Sequence, residues 1–270
     1  MSGGQQGEAL NTALKYIVPV AVGVAAIAVW EWRVRASGIS PLVLPAPSAI
    51  WAAFVANFAT LMSALWFTVK ITVAAFVLAT LGGVALAILF SQSRIVEYAL
   101  YPFAVVLQVT PVIALAPLLL IWFTYENTNE VLIVLAWIIA FFTVLSNATT
   151  GLRSADHNLI DLLKLYGASR WQILWRVQLP SALPYILTSM KISGGLALIG
   201  AVTAEFVAGS GNDLGLGWII TLATRSLDTA QAFAALALLS VLGIAILFAM
   251  TALEWALLHR WHDSAVKKQG

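Results

Sequence analysis

The chain has 270 residues, 61% of them hydrophobic and only 10% charged, with a mean hydropathy of +0.93; soluble globular domains carry about 25% charge, so a soluble enzyme is excluded. Fourteen Lys and Arg against twelve Asp and Glu leave a formal charge of +2, and in so apolar a chain the placement of the cations matters more than their sum. With no cysteine there are no disulfides, thiolate metal sites, iron–sulfur clusters or thiol nucleophiles.

Repeated apolar runs long enough to cross a hydrocarbon core of about 30 Å predict an all-α, polytopic helical membrane protein with about six transmembrane helices. The first run is Ala13 to Trp32, behind a tail over residues 1–12. A cleavable signal peptide is the rival reading, but the run is long for an h-region and five more follow it. Arg33 to Ser48, with Pro41, Pro45 and Pro47, reads as an extended connection on the membrane surface. Further spans are predicted at Leu65–Phe90, Val96–Phe123, Val131–Thr150, Tyr185–Val207 and Ala230–Leu258. Pro111 and Pro117 should kink or break the third. The membrane domain therefore covers residues 13–258, and 259–270 form a second tail.

Lys15, Arg94, Arg153, Lys164, Arg170, Arg176, Arg260, Lys267 and Lys268 fall on the side of the termini, leaving Arg33, Arg35 and Arg225 opposite. The positive-inside rule then puts both termini in the cytoplasm. Trp32, Trp66, Trp122, Trp218, Trp255 and Trp261 near predicted span ends fit interfacial belts.

The segment over residues 151–183 is the longest and most basic loop on that side. Asn158 is placed to cap a helix with Leu159, Leu162, Leu163 and Tyr166 on one face, and Gly167 to end it in a left-handed conformation. Ser169 and Gln172 form a capping-box pattern for a second helix, expected to stop before Leu179 and Pro180. The result is a helix–turn–helix elbow whose apolar knob is rimmed by Asp161, Lys164, Arg170 and Arg176, fit to seat in a groove on a soluble partner.

At these residues the chain resembles the inner-membrane permease subunits of bacterial ABC importers of the binding-protein-dependent type. Asp161 stands for their loop acid, Gly167 for the glycine six residues later within Gly167-Ala168-Ser169, and Leu179-Pro180 for the closing pair; Leu162 and Leu163 stand where the pattern has alanines. LPAPSAI after the first span, TPVIALAPLLLIWF, FFTVLSNATTGLRSAD and GAVTAEFVAGSGNDLGLGWII extend the resemblance to the nitrate, sulfonate and taurine branch. Thr143 and Thr124 replace an expected Pro and Gly. The resemblance implies a type I ABC importer permease fold, in which two such chains, expected as a homodimer, form the pathway across the bacterial inner membrane. It also implies a cytoplasmic ATPase dimer, carrying ATP and Mg, on the elbows, and a periplasmic binding protein that delivers a small anion or organic nutrient. Carriers of pyrimidine, thiamine-precursor and riboflavin-type compounds share the same motifs. The sequence contains no phosphate-binding Gly-x-x-x-x-Gly-Lys-Ser/Thr run, so ATP chemistry falls to a partner, and no cofactor, metal or nucleic acid is expected on this chain.

Glu205 lies in the fifth span, where a carboxylate at the bilayer centre costs about 2.5–3.5 kcal/mol. Counted from Pro184 it sits about 30 Å along, near the far boundary. It is either part of an outer gate or a capped acid that stabilises the following loop, where Gly209, Gly211, Gly215 and Gly217 predict a flexible turn. Lys191 and Lys70 are expected to snorkel. Gln108, Thr110, Pro111 and Asn147 are candidates for the pathway, with interhelical hydrogen bonding as the plainer role of the polar three. Gly82, Gly83, Gly194 and Gly195 are expected to allow close helix packing. His157, His259 and His262 all fall on the cytoplasmic side, away from any intramembrane metal or haem site. A secondary carrier would need an internal repeat and a carboxylate chain, and a membrane enzyme a cluster such as His-Glu-x-x-His; neither pattern is present.

Overall fold

The computed structural model describes residues 3–123, 128–208 and 215–259. Thr124, Gly209, Gly211, Arg260, Trp261, His262, Lys267 and Lys268 lie outside the described residues. The described chain is helical: α1 Gly3–Ala36, α2 Pro47–Ala56, α3 Phe58–Gln92, α4 Arg94–Val109, α5 Val112–Phe123, α6 Thr128–Arg153, α7 His157–Leu165, α8 Arg170–Ile173, α9 Leu179–Ala208, α10 Leu216–Arg225 and α11 Thr229–Leu258. Among the described residues five helices are long and apolar enough to cross a membrane, or six if α4 and α5, bent by 104° at their break, are one broken span.

The chain divides into two compact units, residues 1–61 with 220–236 and residues 62–219 with 237–270. In the first, α1 starts ten residues before Ala13 and runs past Trp32, so helix occupies most of the expected tail and the first part of the expected extended connection. Its end is marked by Gly38 at φ +60°. The short apolar α2 has no capping side chain at Ala46; instead the Ser48 N–H donates to Glu31 Oε2 at 3.0 Å, an acid at a helix N-terminus. Arg35 Nε holds Glu31 in place at 2.5 Å. Trp30 packs on Phe233 at 6.0 Å, and Thr229 Oγ1 donates to the Leu42 carbonyl at 2.7 Å.

In the second unit α6 is the buried axis, packed on α9 along its length and against α5 and α4. Bilayer chains gain little from hydrophobic burial between helices, so close approach of small residues carries the packing. A Cβ on Gly200 would lie 2.7 Å from the Ala136 Cα, one on Gly151 3.0 Å from the Ala182 Cα, and one on Gly83 2.9 Å from Val144. Gly194 meets Ile246 at 3.0 Å, whereas Gly195 has nothing within 4 Å and Gly82 only ordinary contacts. Close packing therefore falls on one member of each expected glycine pair. Thr143 sits inside the unbroken α6, where proline would have removed a donor.

The fourth and fifth predicted spans extend beyond their expected limits, and the fifth needs a correction. The helix opened by Ser169 does not stop before Leu179: α8 passes through a π turn, Leu174–Gln178, directly into α9. In a regular α-helix the Pro180 ring would crowd the Arg176 carbonyl, and the wider turn relieves that clash.

Gly200→Leu should force α6 and α9 apart, costing about 1–3 kcal/mol as an overpacked contact, while Gly195→Ala, which meets nothing of this chain within 4 Å, should not destabilise the folded chain. Thermal unfolding of the two purified variants in detergent checks the contrast.

Candidate functional site

The elbow follows α6 through Ser154 and Ala155. The cap of α7 is Asp156 rather than the expected Asn158: the carboxylate accepts from the Asn158 N–H at 2.8 Å. A carboxylate two residues earlier satisfies the same free amides with a full charge on the helix dipole. Gly167, at φ +75°, closes α7 with paired bonds from the Gly167 N–H to the Lys164 carbonyl and from the Ala168 N–H to the Leu163 carbonyl, both 2.9 Å. Ser169 then caps α8 in the expected reciprocal box, its hydroxyl accepting from Gln172 N at 3.3 Å and its N–H donating to Gln172 Oε1 at 2.7 Å. With both turns fixed by local bonds, the elbow keeps its shape without deep burial.

Ile173 and Leu174 anchor it in the bundle, and Leu179 packs on the same core while Pro180 is exposed. The exposed knob consists of Leu159, Leu162, Leu165 and Tyr166, with Leu165 at 86% and Tyr166 at 83% exposure. Leu163 and Ala168 are half-buried. Leu165 was missed because the expected face ran through Leu163; centring the apolar arc on Leu162 would have found it. Asp161 and Lys164 bond each other at 2.9 Å on the rim, and this ammonium holds the Asp161 carboxyl below its usual range.

At the opposite end of α9, Glu205 is 1% exposed. Its Oε1 accepts from Thr68 Oγ1 at 2.8 Å and its Oε2 from the Gly217 N–H at 2.7 Å, while the same threonine oxygen accepts from the Leu216 N–H at 2.9 Å. One acid and one hydroxyl thus satisfy the first amides of α10 and tie it to α3 and α9. This geometry supports the capped-acid role. A Cβ on Gly215 would lie 2.1 Å from the Glu205 Cδ, so this glycine provides close approach rather than the flexibility expected of it. Thr68 left no signal in the sequence, since a threonine in an apolar span 137 residues away has no spacing relation to the acid.

The remaining pathway candidates do not form one cluster of mutual bonds. Thr110 Oγ1 donates to the Val106 carbonyl at 2.7 Å, and Asn147 Nδ2 to the Thr143 carbonyl at 2.8 Å, each within or next to its own helix. Gln108 is exposed on the last turn of α4, and Pro111 lies in the break. Lys191 pairs with Glu254 at 3.4 Å, and Lys70 stands over the Phe67 ring at 5.5 Å. No group of three metal-ligating side chains occurs among the described residues.

Residues 79–259 match the family model described as the inner membrane component of binding-protein-dependent transport systems. The riboflavin transport system permease protein of Chloroflexus aurantiacus is 34% identical over 87% of this chain and 86% of its own length. The formylaminopyrimidine transport permease protein of Halalkalibacterium halodurans is 33% identical over 85% and 90%. The taurine transport system permease protein of Escherichia coli is 30% identical over 91% and 90%. In fold, the chain is similar to a solved MetNI methionine ABC transporter chain in an inward-facing conformation, with a TM-score of 0.63 at 22% identity over 73% of this chain and 95% of that one.

Removing the acid tests its role. Glu205→Ala would strand the Gly217 N–H and the Thr68 hydroxyl beside a new cavity, for a loss of about 2–5 kcal/mol, with Glu205→Gln losing less. Thermal unfolding and faster hydrogen exchange at Leu216 and Gly217 check it; unchanged stability with altered transport would instead mark a gate residue.

Proposed function

The chain belongs to the inner membrane components of binding-protein-dependent transport systems, and from that membership we propose how its parts divide the work of an ABC importer. This multi-pass inner membrane permease pairs with a second copy of itself. The face of α9 bearing Tyr185, Ile192, Ile199 and Phe206, exposed at seven-residue spacing beside the open Gly195, supports a partner helix there. A cytoplasmic ATPase dimer holds ATP and Mg and receives the elbow, and a periplasmic binding protein delivers the substrate. Both termini and the elbow face the cytoplasm.

The single observation that carries this reading is the knob: four exposed apolar side chains on a surface helix whose start, end and onward turn are all locked by local hydrogen bonds. Such a projection suits a preformed groove, because little conformational entropy is lost on docking. The coupling surface comprises Asp161, Leu162, Leu163, Lys164, Tyr166, Gly167, Ala168, Ser169, Leu179 and Pro180, with Leu165 added. Gln108, Thr110, Pro111 and Asn147 are assigned to the pathway, and Glu205 supports its outer gate through α10. The cargo is a small anion or organic nutrient of the sulfonate, taurine or nitrate type, with riboflavin-like and formylaminopyrimidine-like compounds as the alternative that the relatives' names suggest.

Orientation is checked in this cysteine-free chain by Ser169→Cys. An impermeant thiol reagent added to intact cells should leave it unlabelled, and labelling from outside would reverse the topology.

Coupling is checked at Gly167. A side chain at left-handed φ costs about 1–2 kcal/mol, more for a β-branched one, and within this chain no neighbour lies within 4 Å of a Cβ there, so Gly167→Val acts on the turn and the docking surface without an internal clash. In the reconstituted complex it should weaken ATPase retention or abolish the stimulation of hydrolysis by binding protein loaded with taurine, nitrate, riboflavin or formylaminopyrimidine. The ligand that stimulates the unmodified complex identifies the cargo class. Full coupled transport in the valine variant would sink the coupling assignment.

A further inference from the structure

Below the elbow the apolar packing of α4 on α6 gives way to a cleft of about 520 Å³, lined by side chains that include Arg94, Glu97, Arg153, His157 and Gln178. One contact crosses this cleft, and a second joins the elbow to the end of α3 outside its lining. Arg153, the last residue of α6, reaches both carboxylate oxygens of Glu97 with Nη2 at 2.5 Å. Arg170, the first residue of α8, donates from Nη1 to the Gln92 carbonyl at the end of α3, at 3.2 Å. The two sides of the elbow therefore hold the α3–α4 turn at two points, and that turn is itself fixed by the Ser93 cap of α4.

We propose that Arg153 and Glu97, seconded by Arg170, form the clamp through which the elbow moves the inner end of the broken α4–α5 span. This rests on the coupling role of the elbow, and names the next link. Arg153 stands three residues before the Asp156 cap of α7, so any tilt of α7 is felt first at its guanidinium. Glu97 lies in the first turn of α4, whose one continuous stretch ends at Val109; there Thr110, at ψ 128°, and Pro111 interrupt the backbone bonds and the axis turns by 104°. A push at the near end of the 16-residue α4, which stays helical through Pro102, is converted at such a break into a change of angle. Apolar packing alone would let α4 slide, because dispersion contacts have no preferred direction; the charge-assisted contact of Arg153 Nη2 with both Glu97 oxygens fixes a distance across the open cleft. The pair is partly exposed, with Arg153 at 58% and Glu97 at 14%. A pair of that kind adds little to stability, so its consequence is positional.

The test uses the complete complex of permease, ATPase and binding protein in proteoliposomes, reading substrate moved per ATP hydrolysed. Glu97→Gln and Arg153→Gln should retain the ATPase and its basal hydrolysis but lose at least about five-fold in that ratio. The exchange variant Glu97→Arg with Arg153→Glu should recover a substantial part of it, and Arg170→Ala should lower it less. An unchanged ratio in both single variants, or an exchange variant that assembles and remains uncoupled, overturns the clamp. Should the single variants fail to accumulate, the exchange variant decides alone: coupled transport supports the clamp, and failure to accumulate or to couple overturns it. Failure of the underlying coupling role looks different, because Gly167→Val would then transport normally with its ATPase bound, whatever the clamp variants do.

Discussion

A backbone amide or carbonyl left open in hydrocarbon costs several kcal/mol, so a chain of spanning helices can interrupt itself only where something closes the freed groups. Three interruptions among the described residues have such a closure. The start of α10 is held by Glu205 and Thr68, the start of α2 by Glu31, and the step from α8 to α9 stays helical by widening to a π turn at the approach to Pro180. The break between α4 and α5 places Thr110 and Pro111 together, and the threonine hydroxyl adds a second bond to the Val106 carbonyl, which already accepts from the Thr110 N–H. An importer permease must bend somewhere to alternate its access, and this constraint limits the bends to sites where polar side chains have been placed beside the backbone.

The two ends of the second unit solve the problem differently. At the α10 end, a buried acid and a hydroxyl are shared among three helices, and neither described glycine has room for a methyl: a Cβ on Gly215 or Gly217 would come within 3.0 Å of neighbouring atoms. That end is knit by contacts far apart in sequence. At the elbow end each turn is closed by residues within six positions of one another, from Asp156 to Asn158, from Leu163 to Ala168 and from Ser169 to Gln172. Local closure lets a segment project from the bundle intact, whereas shared closure holds elements together. The first suits a part that docks, the second a part that must seal.

This contrast explains what could be read from the residues alone. Spans were legible because a run of apolar residues is a property of composition, and the elbow was legible because caps and a left-handed glycine have fixed local offsets. Even there the signal was shared by neighbours: Asp156 took the cap expected of Asn158, and the exposed face turned to include Leu165. The continuation through Leu179-Pro180 was not legible, since proline reads as a stop unless the preceding turn widens, and that widening is a tertiary accommodation. Thr68, Glu97 and Gln92 were invisible for the same reason. Their partners lie 137, 56 and 78 residues away, and nothing in a single sequence relates such positions.

The packing of α6 on α9 sets the limit within which all of this operates. Gly200 on Ala136 and Gly151 on Ala182 bring the backbones of the two helices into close contact. Interiors packed in this way are bistable rather than soft. Under the proposed coupling, a force arriving at the elbow would meet more resistance to shear between α6 and α9 than in elements held by fewer contacts. Of these, α4 is attached at its elbow end across an open cleft and ends at a break. On that proposal the closely packed helix pair would leave the α4–α5 break as the part able to change its angle, which ties small-residue packing to the proline-marked break.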